Sequence, residues 1–167
     1  MNTLDLKEIQ ENAINLFNSG YNCAQSVLIS FIDLLKTDHE NAKNVASGFG
    51  AGMGRLQGTC GAITGAYMVF GLYDNSKNND TTEKNETTYQ LIQQFDKEFK
   101  KLNGTTECRL LLNCDLNTKR GKEKFKKQEL KKSVCEKCIV DSINLTFNKI
   151  ARNKHQHLTR GHKTLRG

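Results

Sequence analysis

The sequence contains no proline and no tryptophan, and aromatic residues make up only 7% of its 167 positions. Without proline, its helices must end at glycines and polar turns. It lacks an apolar run of the roughly 20 residues that a membrane span requires. No basic flank followed by an apolar run marks a secretory signal. These absences predict a helical protein of the cytoplasm with no membrane span.

Motifs of several well-known sites are missing as well. The glycine-rich segment contains no G-x-x-x-x-G-K-[ST] and no G-x-G-x-x-G after a strand, which argues against the common nucleotide sites. Cys135 and Cys138 have the C-x-x-C spacing of thioredoxins, but no βαβ pattern surrounds them. No proline is present to supply a cis-proline beside them. Ile139 follows the pair where covalent haem attachment requires histidine.

Net positive charge is confined to the last third of the chain. The 25 lysine and arginine residues exceed the 18 acidic residues, for a net charge of +7. Residues 1–118 carry 10 basic and 14 acidic side chains, whereas residues 119–167 carry 15 basic and 4 acidic ones. No aromatic interleaving or base-reading motif accompanies the lysines of residues 119–132. We therefore expect a solvated basic face there and no specific nucleic-acid interface.

Residues 47–72 combine alternating glycines with a long apolar run. The glycines at 48, 50, 52, 54 and 58 predict an irregular loop whose backbone N–H groups face outward. Residues 62–72 are almost wholly apolar, which predicts a buried helix. Cys60 stands where this helix would begin. The unpaired N–H groups of a helix start would lower the pKa of its thiol.

Apolar residues at helical spacing, separated by glycine or polar stops, predict an all-α fold. We expect a single bundle of about six to seven helices, with the glycine-rich loop before a buried central helix. Residues 74–86 are expected to form a surface loop and residues 117–132 a solvated helix or a loop. Residues 133–136 have the form of a capping box that opens the last helix. The domain should span residues 1–151, followed by a basic, disordered tail at 152–167.

Six cysteines are the main chemical feature of the sequence. In a cytoplasmic protein, cysteines more often bind metal or carry out redox reactions than form structural disulfides. Four lie in or beside the first turn of a predicted helix, namely Cys23, Cys60, Cys108 and Cys135; Cys114 and Cys138 fall later. Because helix starts stabilise thiolates, we expect these four to share one site. Cys60 is the predicted nucleophile and Cys23 its resolving partner.

Five short motifs follow one another between residues 10 and 150. They are GYNCAQ at 20–25, ASGFGAGMGR at 46–55, TCGAITG at 59–65, CRLL at 108–111 and Cys135 at the last helix. In this order they resemble the redox-active protein family defined by four cysteines and a CGAxxG motif. The resemblance implies that Cys23, Cys60, Cys108 and Cys135 are its key cysteines. Cys114 and Cys138, the lysine-rich segment and the basic tail are additions to the family pattern.

The cysteines leave two functions open. One is a thiol redox protein that exchanges electrons with a partner protein by reversible disulfide formation. The other is a metal or iron–sulfur module in which the same four thiolates hold one centre. A bundle whose cysteines merely pack is the third interpretation.

The histidines of the basic tail raise a further alternative, a zinc finger. A finger built from Cys135, Cys138, His157 and His162 is disfavoured, because 18 residues separate the inner pair where 12–15 are usual. The sequence leaves open whether the chain forms a homo-oligomer.

Overall fold

The structure of the protein, a computed structural model, describes residues 5–35, 37–73 and 81–161, with side chains up to residue 152. Over these ranges the chain is helical and has no strand, apart from one isolated bridge between Thr59 and Glu107. The predicted all-α fold is confirmed. The helices are α1 (Leu6–Asn18), α2 (Cys23–Ser30), α3 (Ile32–Leu35), α4 (His39–Ala46), α5 (Gly50–Met53, a single turn), α6 (Gly61–Leu72), α7 (Thr81–Asn103), α8 (Cys108–Leu112), α9 (Lys119–Lys127) and α10 (Lys137–Gly161).

The central element is α6, which begins directly after the glycine-rich segment. Every residue from Gly61 to Ala66 is buried, as the apolar sequence predicts. The helix packs against α2, α7 and α10. A Cβ atom at Gly65 would lie 2.7 Å from the carbonyl oxygen of Ala24, so this glycine lets the backbones of α2 and α6 approach closely. The buried central helix is therefore confirmed.

The surrounding helices each turn one apolar stripe toward a common core. These stripes contain Ile9, Ala13 and Phe17 of α1, Leu91, Phe95 and Phe99 of α7, and Ile139, Ile143 and Ile150 of α10. The ring of Phe95 stacks on Phe99 at 5.9 Å and meets the edge of Phe70 at 5.8 Å. Burying each such side chain contributes about 1.5–3 kcal/mol before the entropy cost of folding. The i, i+3, i+4 pattern in the sequence thus corresponds to a real core.

The glycine-rich segment is more ordered than the predicted irregular loop. A 3₁₀ turn (Ser47–Phe49) leads into α5. Five successive residues then have positive φ angles: Ala51 (51°), Gly52 (71°), Met53 (66°), Gly54 (64°) and Arg55 (67°). The N–H of Gly54 donates to the carbonyl of Gly50 at 2.9 Å, which closes a left-handed helical turn. Alternating glycines favour this turn, because glycine has no Cβ atom and adopts positive φ angles without a steric cost.

Two predicted boundaries differ from the structure. Helix α7 already begins at Thr81, so the predicted loop is helical from that residue onward, and residues 74–80 lie outside the described residues. No glycine or proline interrupts residues 81–103, and Glu83 in the first turn favours a helix start.

Helix α10 continues to Gly161, so the backbone is helical where a disordered tail from 152 was expected. Residues 162–167 lie outside the described residues.

The predicted capping box at residues 133–136 is wrong. This segment is a π-helical turn (Lys131–Glu136) that runs directly into α10, and no side chain caps it. The hydroxyl of Ser133 instead donates back to the carbonyl of Glu129 at 3.2 Å. A helical turn therefore precedes the predicted start of the last helix.

The basic segment adopts the first of its two predicted forms, a solvated helix. Thr118 caps α9 by accepting a hydrogen bond from the N–H of Gly121 at 3.0 Å. Most lysines of α9 are exposed, whereas Phe125 is half-buried on the inner side. Among the described residues, no helix is both long enough and apolar enough to cross a membrane.

Candidate functional site

A cavity of about 240 Å³ lies where α1, α2, α6, α8, α9 and the π-helical turn meet. Cys23, Cys60, Cys108 and Cys135 all line it, and its remaining walls are largely apolar, from Phe17, Leu112, Leu116 and Phe125. The structure thus brings together the four cysteines that the sequence singled out, although they come from widely separated parts of the chain. We call this space the cysteine cavity.

Cys23 is the first residue of α2, and a double cap holds it there. The side-chain oxygen of Asn22 accepts from the N–H groups of Ala24 (2.9 Å) and Gln25 (3.0 Å). The Gln25 side chain accepts from the N–H of Asn22 in return, which completes a capping box. The amide nitrogen of Asn22 also donates to the carbonyl of Ser47 at 2.9 Å. The start of α2 is therefore tied to the glycine-rich segment.

Cys60 and Cys108 are joined by a short two-way backbone pairing. The N–H of Cys60 donates to the carbonyl of Thr106 at 2.8 Å, and the N–H of Cys108 donates to the carbonyl of Gly58 at 2.7 Å. Cys60 is the N-cap residue of α6, and Cys108 is the first residue of α8. This pairing places two helix starts, and their thiols, on the same side of the cavity.

Two glycines let the backbone lie directly against these thiols. A Cβ atom at Gly61 would lie 2.5 Å from Sγ of Cys23, so only glycine leaves room for that sulfur at the start of α6. A Cβ atom at Gly52 would lie 2.8 Å from Cβ of Cys108. The CGAxxG glycine and the left-handed turn thus shape the cysteine cavity.

Cys135 reaches the cavity from the π-helical turn rather than from a helix N-terminus, contrary to expectation. Lys131, one turn earlier, also lines the cavity, with its ammonium 4.8 Å from the ring centre of Phe17. Its positive charge acts to lower the pKa of Cys135. That effect is outweighed by burial and by the charges of the neighbouring cysteines, so the pKa of Cys135 is raised.

The expectation that these thiols have lowered pKa values is wrong. Burial, then the charge of Cys60, raises the pKa of Cys23 from 9.0 to about 11. Burial, then the charges of neighbouring cysteines, raises the pKa of Cys108 from 9.0 to about 12. A hydrogen bond to Cys138 and burial raise that of Cys60 well above its ordinary value. Backbone N–H groups do act to lower the pKa of Cys60 and Cys23, but desolvation outweighs them.

The cysteine pattern of the sequence assigns no site role to Cys114 and Cys138, and the structure places these two cysteines in different environments. The side chain of Cys138 is only 2% exposed, and its proximity acts to raise the pKa of Cys60. Cys114 is half-buried outside the cavity lining, and the Gln57 amide donates to its carbonyl at 2.9 Å. The C-x-x-C spacing is the sequence feature that could have placed Cys138 near Cys135, since residues three apart share a helix face.

The donor set can be compared with what metals require. Across the described ranges, no three His, Cys, Asp or Glu side chains are grouped closely enough to hold one ion. Tetrahedral zinc needs its sulfurs about 2.3 Å from the metal, so this arrangement does not fit a single ion. An iron–sulfur cluster fills the space between its thiolates, and four cysteines around one cavity suit that arrangement better. In the zinc-finger alternative, the side chain of His157 and all of His162 lie outside the described residues.

Comparison with known proteins agrees with the cysteine pattern. Residues 21–148 match the family described as "Putative redox-active protein (C_GCAxxG_C_C)". The chain belongs to this family. A relative from Archaeoglobus fulgidus, named "Uncharacterized protein", is 27% identical over 111 residues, which cover 62% of this chain and 74% of the relative. No solved structure matches the chain. The family resemblance noted from the sequence is thus confirmed.

Proposed function

We propose that this member of the family is a thiol redox protein whose electrons are carried by cysteines of the cysteine cavity. The observation that carries the proposal is the convergence of Cys23, Cys60, Cys108 and Cys135 on one cavity. All six cysteines are free thiols in this structure. The partner would be another redox protein, and the reducing cytoplasm would maintain the free thiols.

The cavity favours this function over simple packing of cysteines. A buried cysteine that serves only as a small apolar side chain fills space in a close-packed core. Here four cysteines surround about 240 Å³ that the core does not fill. Four thiols that face this space instead of close-packed side chains indicate a use for them other than packing.

The raised pKa values indicate the direction of electron flow. Strongly oxidising disulfides owe their reactivity to a reduced form stabilised as a thiolate. In this cavity burial disfavours the thiolates of Cys23 and Cys108, so the reduced form gains no such stabilisation. We therefore assign the dithiol the role of electron donor. Two thiols lose two electrons and two protons as their disulfide forms, and the disulfide of an acceptor is reduced to two thiols.

An iron–sulfur cluster is the second candidate, and the cavity volume favours it over a single metal ion. Cys23, Cys60, Cys108 and Cys135 would hold it, and it would supply one-electron transfer. Burial, then the charges of neighbouring cysteines, raises the pKa values of Cys23, Cys108 and Cys135, and bound iron would neutralise that thiolate charge.

One preparation distinguishes these functions. The protein is purified without air, its visible spectrum, iron and sulfide are measured, and its thiols are counted before and after exposure to oxidised dithiothreitol. We expect a colourless protein that loses two thiols per chain and recovers them on reduction. The matched control is Cys114→Ser, which should lose the same two thiols because Cys114 does not line the cavity. Visible absorption with stoichiometric iron and sulfide would establish the cluster instead. A colourless protein with no reversible thiol loss would exclude both.

A further inference from the structure

The four thiols of the cysteine cavity differ in how far they are exposed. Cys23, Cys60 and Cys108 are buried, with 9%, 7% and 6% of their surface exposed. Cys135 is half-buried. Thiol–disulfide exchange passes through a mixed disulfide, so the attacking sulfur must come into contact with a substrate that arrives from outside. Access therefore favours Cys135 over the three buried thiols.

Cys135 also shares its wall of the cavity with a cation. Lys131 lies four residues earlier in the same π-helical turn, and both side chains line the cavity. Its ammonium is 4.8 Å from the ring centre of Phe17, another wall residue. Among the described residues that line the cavity, Lys131 alone is a lysine, arginine or acidic residue. A thiolate that forms at Cys135 therefore meets a positive charge on its own turn.

The other thiols oppose ionisation of Cys135 only when they are themselves charged. Burial, then the charges of the other cavity cysteines, raises the pKa of Cys135, and Lys131 acts to lower it. Burial also raises the pKa of Cys23 to about 11 and that of Cys108 to about 12, so both are protonated near neutral pH. At that pH, Cys135 ionises beside neutral thiols and the ammonium of Lys131.

We propose that Cys135 is the attacking cysteine of the cavity and that Lys131 is its positioning residue, whose ammonium pairs with the sulfur during attack. This inference rests on the proposed thiol redox function. It gives Cys135 the role that the sequence suggested for Cys60. The substrate is an external disulfide that approaches the cavity from the side of the π-helical turn.

The reaction balances as two thiol–disulfide exchanges. Cys135 gives up its proton and its sulfur attacks one sulfur of the substrate; the substrate S–S bond breaks, and the first substrate thiol leaves with that proton. A second cysteine thiol then attacks Sγ of Cys135, the mixed disulfide breaks, and the second substrate thiol leaves with the proton of that cysteine. The substrate gains two electrons and two protons, and the protein retains a disulfide that includes Cys135.

The buried cysteines suit the second step. Cys23, Cys60 and Cys108 line the same cavity as Cys135, but little of their surface is exposed. They share the space beside a mixed disulfide on Cys135 while they are screened from the substrate in solution. A thiol in such a position reacts after Cys135 and not before it.

Reaction with oxidised glutathione tests the attacking role. The reference is the Cys114→Ser chain, because half-buried Cys114 lies outside the cavity lining and would otherwise add its own mixed disulfide. We expect the reference to lose two thiols and release two equivalents of reduced glutathione. Adding Cys135→Ser should slow this release about tenfold or more and leave no glutathione on the chain. Cys135→Ala is a second version, and circular dichroism checks that both are folded.

The location of trapped glutathione separates the alternatives. Glutathione bound to Cys23, Cys60 or Cys108 in the Cys135 variants would show that a buried thiol attacks and that Cys135 resolves, which would overturn the inference. An unchanged rate of release would overturn it as well. In both cases the redox function would stand. If the reference chain itself loses no thiols, the redox function fails.

The pH dependence of alkylation tests Lys131. Iodoacetamide is uncharged, so its reaction with Cys135 reports the thiolate and not attraction of the reagent. Removing the cation raises the pKa of Cys135, so Lys131→Gln should slow alkylation at pH 8 about threefold or more and move the rate profile to higher pH. Lys131→Arg should restore the rate. The matched control is Lys132→Gln, because exposed Lys132 does not line the cavity. Equal rates in the Lys131→Gln and Lys132→Gln chains would refute the role of Lys131.

Discussion

At the scale of single residues, burial rather than helix position determines the chemistry of the thiols. A helix N-terminus stabilises a nearby negative charge by about 0.3–1 kcal/mol at an exposed site. The shift at Cys23, from 9.0 to about 11, corresponds to roughly 3 kcal/mol in the opposite direction. The helix starts orient Cys23, Cys60 and Cys108, but the low polarity of their surroundings keeps these thiols protonated at neutral pH.

This balance predicts a slow, pH-dependent reaction of Cys108 with iodoacetamide. Only the thiolate reacts, and a raised pKa means that its fraction at pH 8 is smaller than in an ordinary thiol. With a pKa of about 12, Cys108 should react at least tenfold more slowly than half-buried Cys114 at pH 8. Its rate should keep rising as the pH approaches its pKa. Site-resolved mass spectrometry measures both rates in one sample.

Guanidinium chloride supplies the control for the alkylation experiment. In the unfolded chain the two cysteines should react at similar rates, because the cause of the difference is burial. Equal rates in the folded chain at pH 8 would contradict the raised pKa of Cys108.

At the scale of elements, the left-handed turn at residues 51–55 is the least expected feature. L-residues in this conformation cost about 1–2 kcal/mol each, and Ala51, Met53 and Arg55 adopt it without being glycine. Strain of this kind persists where the surroundings enforce it, and it is concentrated at functional sites. Ala51 lines the cysteine cavity, and its backbone acts to lower the pKa of Cys23. The turn therefore acts as a wall of the site.

Two glycines of this turn offer a matched comparison. Both have positive φ angles, but a Cβ atom at Gly52 would meet Cα of Gln57 at 2.7 Å and Cβ of Cys108 at 2.8 Å. At Gly54 the nearest atom would be 3.6 Å away. Gly54→Ala should lower the free energy of unfolding by about 1–2 kcal/mol, from backbone strain alone. Gly52→Ala should cost about 1–3 kcal/mol more, because the turn must also move away from Cys108.

Denaturant unfolding of the Gly52→Ala and Gly54→Ala variants measures the difference. Equal losses would show that contact with Cys108 does not constrain the turn. A greater loss for Gly54→Ala would contradict the packing described for this wall.

At the scale of the whole molecule, one core extends from α1 to the middle of α10. The last buried side chains among the described residues are Lys149 and Ile150. The ammonium of Lys149 donates to the carboxylate of Glu98 in α7 at 2.9 Å, which joins the two longest helices of the described chain. The domain end at residue 151 stays a prediction, because the structure describes no side chain beyond residue 152.

A truncation series tests the domain boundary. A chain that ends at Arg152 should keep its melting temperature within about 2 °C, because it retains every core contact described. A chain that ends at residue 148 should melt clearly lower, since losing Ile150 alone removes about 1.5–3 kcal/mol of burial. Calorimetry compares both with the full chain. A large loss in the first truncation would show that residues 153–167 contribute to the fold.

The sequence by itself determined the local features of this protein. Apolar periodicity identified most helices, and glycine with capping residues located the starts of α2 and α6. The order of the cysteine motifs identified the family, because spacing along a helix is a short-range property that a single sequence displays.

Only the tertiary structure decided the chemistry of the site. The pKa of Cys60 depends on Cys138, which is 78 positions away in the chain and belongs to another helix. The left-handed turn depends on Cys108 and Gln57 packing against it, and not on glycine content alone. Desolvation and thiol–thiol contacts arise from groups that meet only when the chain folds. Local pattern therefore identified the cysteines that gather, whereas packing decided which thiols share the cavity and how readily each one ionises.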